Sequence, residues 1–346
     1  MAGCLTNATT WRRTIVAIAT IVTANAASHA ALALAEPDTD PKSVRQAVIC
    51  QQVFFSDHQR QSLATDKPLR DLVLSQEHLY VLGKQHVWRF DLGKSALRKF
   101  TFAPSSSLQD AHLARDDKTG EVYLATPQML FIMHSDAQDT TQSRPPQRGE
   151  PRVLKYFQQE LTEVFDFRVT PANYTWITGK GIYLLERQSL QLRFLRYPLK
   201  PSDQVVIAPS LRSFYVLRGN KLLRINQKLQ AKEILHADGL RIASDDQTLY
   251  VRRDKAILRF TFAGELLQTI PAVKRLAGMR FAADEHSYMF YDGMFEHYRL
   301  ASSDVLVGKC ASGSKIAANR SGLDVFAGRV AFIGAADNPY MYELRK

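Results

Sequence analysis

A three-residue motif returns seven times along this chain, and any fold proposed for it has to explain the return. Each copy is a variable residue, a large apolar residue, then Ala, Ser or Thr: Val73-Leu74-Ser75, His112-Leu113-Ala114, Arg168-Val169-Thr170, Val206-Ile207-Ala208, Arg241-Ile242-Ala243, Arg280-Phe281-Ala282 and Val325-Phe326-Ala327. After a short polar gap a second apolar run follows, with a bulky residue near its start: Tyr80, Tyr123, Trp176, Tyr215, Tyr250, Met289 and Phe332. Six intervals divide the 252 residues between Tyr80 and Phe332, a mean of 42. Self-similarity at a fixed period of about 20–50 residues marks an array of supersecondary units, none of which buries its apolar face alone.

The interior of each unit reads as short strands. A third apolar run recurs as Val87-Trp88-Arg89-Phe90, Leu130-Phe131-Ile132, Ile182-Tyr183-Leu184-Leu185, Leu222-Leu223-Arg224-Ile225 and Ile257-Leu258-Arg259-Phe260. A fourth, weaker run ends most units, as in Leu97-Arg98-Lys99-Phe100, Leu192-Arg193-Phe194-Leu195 and Leu266-Leu267-Gln268-Thr269-Ile270. Four strands per unit of about 40 residues is the layout of a β-propeller blade. The turns between them hold Leu82-Gly83-Lys84, Gly179-Lys180-Gly181, Arg218-Gly219-Asn220 and Asp292-Gly293, residues suited to tight hairpins. No sustained i, i+3, i+4, i+7 stripe appears beyond one turn near Ser62, so the chain is predicted to be all-β. A two-sheet sandwich and a six-bladed ring with an irregular edge are the structural alternatives.

On these residues the chain resembles the seven-bladed β-propellers of the broad YVTN, NHL and WD-repeat type, over roughly residues 45–346. The resemblance is one of architecture and apolar spacing: no Trp-Asp dipeptide ends the third runs and no Gly-His pair opens the units. It implies a seven-bladed β-propeller of four-stranded antiparallel blades. Similar proteins hold partners with the loops at one end of the ring or at the channel mouth. The seventh unit stops one strand short, and the segment Gln46 to Phe55 is apolar enough to supply the missing outer strand, closing the ring and removing an exposed edge.

The first 35 residues stand apart. Arg12 and Arg13 precede the apolar run from Thr14 to Val22, and small residues follow, with cleavage sites after Ala26, Ala30 or Ala35 before the polar stretch Glu36-Pro37-Asp38. This is the layout of a secretory signal peptide over 1–35, followed by a linker over 36–44. An uncleaved membrane anchor is the alternative, although the run is shorter than the ~20 residues a spanning helix needs. Cys4 lies before the apolar run, on the wrong side for a lipoprotein cysteine. No later segment is long and apolar enough to span a bilayer, so the protein is expected to be periplasmic or secreted, with no transmembrane segment after cleavage.

Cleavage after Ala35 removes Cys4 and leaves Cys50 and Cys310. In an oxidising compartment two cysteines far apart in sequence persist as a disulfide. Cys310 follows the outer strand expected in the sixth unit and Cys50 lies in the closing strand, so a Cys50–Cys310 bond is expected to latch the seam. Of the formal charge of +11, the leader contributes its two arginines, leaving +9 dispersed singly along strands and turns. A basic exported protein meets anionic envelope components or acidic proteins, and export excludes nucleic acid as the expected partner.

Catalytic signatures are absent: there is no His-Glu-x-x-His, Cys-x-x-Cys, Gly-x-Ser-x-Gly or phosphate-cradling glycine loop. Residues 135–151 are rich in Asp, Gln, Thr and Pro and lengthen the second unit, an insertion expected to be a solvated loop. The candidate ligand site comes from the repeat. Two positions before each variable residue stand Asp71, Asp110, Asp166, Gln204, Gly239, Gly278 and Leu323. Side chains alternate along a strand, so this residue and the variable one share a face, expected to lean toward a central channel. Asp71, Asp110 with His112, and Asp166 with Arg168 then form an acidic arc, opposite Arg241 and Arg280. Such a channel suits a polar ligand or a bound cation, and no other cofactor is expected. The function expected is that of a non-enzymatic binding or scaffolding module for a protein or anionic envelope partner, acting as a monomer. The alternative is a hydrolase or lyase of propeller type with a cation at the channel.

Overall fold

The structure, a computed structural model, describes residues 49–53, 55–102, 108–134, 151–158, 160–208, 213–237, 240–244, 248–253, 256–271, 278–281, 287–291, 294–300, 305–311, 323–326, 329–334 and 337–345. All belong to the compact unit Val44–Lys346. The expected leader over 1–35, the linker over 36–44 and nearly all of the insertion over 135–151 lie outside them.

Strand β1 (Ile49–Val53) and helix α1 (Asp57–Ala64) come first. The described strands then fall into seven four-stranded antiparallel sheets. The first holds β2 (Asp71–Leu74), β3 (His78–Leu82), β4 (His86–Asp91) and β5 (Leu97–Thr101). The second holds β6 (His112–Arg115), β7 (Val122–Ala125), β8 (Met129–His134) and β9 (Arg152–Tyr156). The third is built from β10 (Val164–Val169), β11 (Asn173–Thr178), β12 (Gly181–Glu186) and β13 (Leu192–Leu195). The fourth contains β14 (Gln204–Ile207), β15 (Ser213–Arg218), β16 (Lys221–Asn226) and β17 (Ala231–His236). In the fifth are β18 (Arg241–Ser244), β19 (Thr248–Arg253), β20 (Ala256–Thr261) and β21 (Leu266–Pro271). The sixth comprises β22 (Gly278–Phe281), β23 (Ser287–Tyr291), β24 (Met294–Leu300) and β25 (Val305–Ala311).

The seventh sheet departs from chain order. It runs β1-β28-β27-β26, from β26 (Leu323–Phe326), β27 (Arg329–Ile333), β28 (Pro339–Arg345) and the N-terminal β1. Ile49 lies opposite Arg345 and Val53 opposite Met341 in antiparallel register. The N-terminal segment thus takes the outer place that the last unit lacks.

The anchors of the repeat explain why the sheets stack. Trp176, Tyr80, Tyr123, Tyr215, Tyr250 and Phe332 are among the largest fully buried side chains of the described residues. Strand alternation sends successive residues to opposite faces, and both faces are covered. Leu72 and Leu74 pack with Ala331, Ile333 and Met341 of the seventh sheet. Val73 between them packs with Leu113, Val122 and Leu124 of the second. The same interleaving joins the second sheet to the third through Tyr123, Val164 and Trp176, the third to the fourth through Ile177, Val205 and Phe214, and the fourth to the fifth through Tyr215, Ile242 and Val251. The first strands of the units are neighbours in turn: β26 beside β2, β2 beside β6, β6 beside β10, β14 beside β18, β18 beside β22 and β22 beside β26.

Helix α1 is longer than the single turn read near Ser62. It forms through its cap and not through an apolar stripe: the Ser56 hydroxyl accepts the Gln59 N–H while the Gln59 side chain accepts the Ser56 N–H. Leu63 and Gln59 are its buried residues, and Gln59 Nε2 donates to the Ser95 carbonyl at 2.6 Å. Two hairpin glycines answer close approaches. A Cβ on Gly83 would lie 2.1 Å from the Asp66 carboxylate, which accepts the N–H groups of Gln85 and His86 and the Trp88 indole. At Gly181, with φ +151°, a Cβ would lie 2.1 Å from the Leu195 carbonyl.

Trp176 sits between Phe157 and Phe167 with no exposure. Trp176→Ala is expected to lower stability by about 3–5 kcal/mol through the lost contacts and the cavity left behind. Urea unfolding followed by circular dichroism measures it, and a loss under about 1 kcal/mol would remove the anchors from the core.

Candidate functional site

The first strand of each sheet has a ladder partner on one side only, so half of its backbone N–H groups need another acceptor. Asp71 opens β2 and is 5% exposed. Its Oδ2 accepts the Leu113 N–H of the second sheet at 2.9 Å, and its Oδ1 accepts the Leu72 N–H at 2.8 Å. Gln204, at the same repeat position in β14, accepts the Ile242 N–H of the fifth sheet on Oε1 at 3.0 Å. Asp324, one residue further along in β26, accepts the Leu74 N–H of the first sheet at 2.8 Å. All three acceptors reach the same place in the next sheet, the large apolar residue of the motif. The position read from sequence as a channel-facing acid is thus, in Asp71 and Gln204, a bond between sheets.

The rest of the acidic arc is placed differently. Asp110 lies exposed in the turn before β6, which begins at His112, so strand alternation does not run through both. The His112 ring stands between sheets, with Nδ1 4.0 Å from Asp71 Oδ2 and Nε2 3.4 Å from the Val164 carbonyl. Burial pushes its pKa below the usual histidine value, against the pull of Asp166 and Asp110. Asp166 follows an irregularity in the β10–β11 register, and its Oδ2 accepts from Arg168 Nε at 3.0 Å and Nη2 at 2.9 Å. These two do share a face, as alternation requires, and pair with each other in a partly exposed setting. Arg241 and Arg280 lie in β18 and β22, and their side chains fall outside the described residues, as do those of Cys50 and Cys310. Among the described residues, no three of His, Cys, Asp and Glu gather as a metal site.

Two arginines outside the repeat positions each gather several charged and aromatic groups. Arg115 ends β6 with its side chain 4% exposed. Its Nη1 donates to Asp324 Oδ2 and to the Leu74 carbonyl, each at 2.6 Å, its Nη2 lies 2.8 Å from Asp117 Oδ1, and the guanidinium stands 4.1 Å over the Phe326 ring. Three sheets meet at this one side chain. Burial works against its charge, and Asp324 with Asp117 outweighs burial, leaving the pKa above its ordinary value. The sequence did carry a signal: the residue after the motif is Gln, Pro, Pro, Ser, Ala or Gly in the other units and Arg only here. Arg187 plays the comparable part between the third and second sheets, bonded to Asp116 and donating to Tyr123 Oη at 3.1 Å, with the Tyr174 ring 5.3 Å away. Tyr215 repeats the tie by donating to the Phe262 carbonyl of the fifth sheet at 2.9 Å.

The comparisons with known proteins agree with this geometry. No family model and no curated sequence matches the chain. Solved structures do. A chain of the mitotic checkpoint complex superposes with a TM-score of 0.53 at 10% identity, covering 91% of this chain and 98% of that one. A functionally unknown protein from Desulfotomaculum acetoxidans DSM 771 superposes with a TM-score of 0.56 at 10% identity, covering 78% of this chain and 95% of that one. The fold is a β-propeller. With 878 chains matching in shape, the likeness identifies the fold and leaves chemistry to the side chains.

Removing Arg115 strands Asp324 at a buried junction, so Arg115→Met is expected to lower stability by about 3–5 kcal/mol. In a double-mutant cycle with Asp324→Asn, a coupling of at least about 1 kcal/mol is expected in chemical unfolding. Additive losses would dissolve the junction.

Proposed function

We propose that this chain is an exported, periplasmic or secreted propeller of seven blades, closed into one ring by β1, that serves as a non-enzymatic binding or scaffolding module for a protein or anionic envelope partner. The observation that carries the reading is the commitment of inner-strand polar groups to bonds between sheets: Asp71 to the Leu113 N–H, Gln204 to the Ile242 N–H, Asp324 to the Leu74 N–H and Arg115. Groups held this way rigidify a ring and are withdrawn from proton transfer or ligand exchange. Seven sheets, their sequential packing and the pairing of β1 with β28 support the closed ring. The leader-like composition of residues 1–35 supports export.

A second reading, a hydrolase or lyase with a cation at the channel, draws on His112, whose ring stands 4.0 Å from Asp71 Oδ2 and feels the charges of Asp166 in β10 and of Asp110 in the turn before β6. The two readings separate cleanly. For the binding module, affinity capture from an envelope extract with the purified chain as bait is expected to recover a partner, and Asp110→Asn and Asp166→Asn are expected to leave capture unchanged. Metal retained on purification, with loss of a hydrolytic or lyase activity in those variants, would establish the enzyme instead.

The ring also carries a proposed latch. Cys50 lies opposite Leu344 in β1 and Cys310 opposite Phe295 in β25, and β1 and β25 are neighbouring outer strands. A disulfide between them would join the seventh and sixth sheets at their rims, a bridge of the kind whose removal costs about 2–5 kcal/mol. Alkylation of the unfolded exported protein without reductant is expected to leave its mass unchanged, and two alkylated cysteines would exclude the bond.

A further inference from the structure

The large apolar side chains exposed among the described residues share one location. Val153 and Tyr156 lie on β9, Leu192 and Phe194 on β13, and Leu266 and Leu267 on β21, all of them outer strands. An outer strand is hydrogen-bonded along one edge and presents the other to incoming chain. Charged side chains usually guard such an edge, and the outer strands here differ in how their charges are used. On β5, Arg98 and Lys99 fold over rings of their own sheet, 5.2 Å from Phe100 and 5.9 Å from Trp88. On β17, Glu233 answers Lys221 at 3.4 Å and His236 at 3.6 Å. Beside β13, Arg193 and Arg196 are exposed, and no acidic partner meets either of them among the described residues.

The geometry of β13 is that of a prepared edge. In its register with β12, Phe194 lies opposite Tyr183, Arg193 opposite Leu184 and Leu192 opposite Leu185. Leu192 and Phe194 therefore share one face, with Arg193 on the other. Phe194 is stacked flat on Tyr183 at 4.4 Å between centroids, so its ring is already ordered, and little further freedom is lost when a partner covers it.

We propose that β13 receives an extended acidic segment of a partner protein, which adds to the sheet as a further strand with apolar residues over Leu192 and Phe194 and a carboxylate on Arg193, and with a further acid past the end of the strand at Arg196. Strand addition takes affinity from main-chain hydrogen bonds and specificity from alternate side chains. A second copy pairing through its own β13 is the wrong occupant, because Leu-Arg-Phe-Leu brings no carboxylate to Arg193 and Arg196. This inference names the class of partner for the binding-module reading and rests on it.

The test selects a display library of random linear peptides on the purified chain, with counter-selection on the Arg193→Glu/Arg196→Glu double variant. Both arginines are exposed, and circular dichroism checks that the variant is folded. Recovered peptides are expected to alternate Asp or Glu with Val, Ile or Phe, and to bind the double variant about tenfold more weakly by fluorescence anisotropy. Phe194→Ser is expected to weaken them similarly, Lys232→Glu on β17 to leave them unchanged, and the double variant to select basic peptides instead. Failure to recover peptides, peptides without acidic residues, or equal binding to the double variant would overturn the proposal. So would phosphatidylglycerol vesicles that bind the chain through these arginines while no peptide does. A partner captured from envelope extract and equally retained by the double variant would leave the binding module standing and remove only this edge.

Discussion

A propeller's innermost strands pose a problem that ordinary sheets solve by adding a strand. Each has a neighbour in its own sheet on one side, and on the other a row of amide groups that water does not reach freely. Here a side chain from the preceding sheet closes the gap, as when the Asp71 carboxylate takes the Leu113 N–H. A hydrogen bond to a charged acceptor contributes about 1.5–3 kcal/mol, and leaving a buried donor unmet costs a comparable amount. The bond therefore ties one sheet to the next beside the apolar clusters that span the same junctions. Gln204 and Asp324 do the same from the fourth and seventh sheets.

This division of labour explains why conspicuous acids on inner strands need not form a ligand site. Each oxygen of the Asp71 carboxylate is held by a backbone N–H, and the buried guanidinium of Arg115 is neutralised by Asp324 and Asp117. The second strands add ties at a larger radius, where Tyr123 and Tyr215 reach the turn after the third strand of a neighbouring sheet. Sheets joined at two radii resist both sliding and hinging.

The repeat was legible because it is written in bulk. Tyr80, Tyr123, Trp176, Tyr215, Tyr250 and Phe332 stand at regular intervals in sequence and are buried side chains in the structure. The outer place of the N-terminal segment was legible too, from the count of strands in the last unit. What hydrogen bonds decide was less so. The alternation that pairs Asp166 with Arg168 held, yet Asp110 fell in a turn because β6 starts two residues later. Helix α1 escaped because its signal is a reciprocal cap at Ser56 and Gln59 and not a periodic apolar face. Arg115 escaped because its partners, Leu74 and Asp324, are remote in sequence and come together only after three sheets are in place.

The pairing of Ile49 with Arg345 carries a kinetic consequence. A chain made N-terminus first presents β1 long before β28, the strand it pairs with, because nearly 300 residues separate the two. Closing a loop of nearly 300 residues costs on the order of 5 kcal/mol in chain entropy. Six sheets are assembled from consecutive strands and can form as the chain appears, while the seventh waits for both ends. Until then β1 is a strand without its partner, open to mispairing with any other unpaired edge.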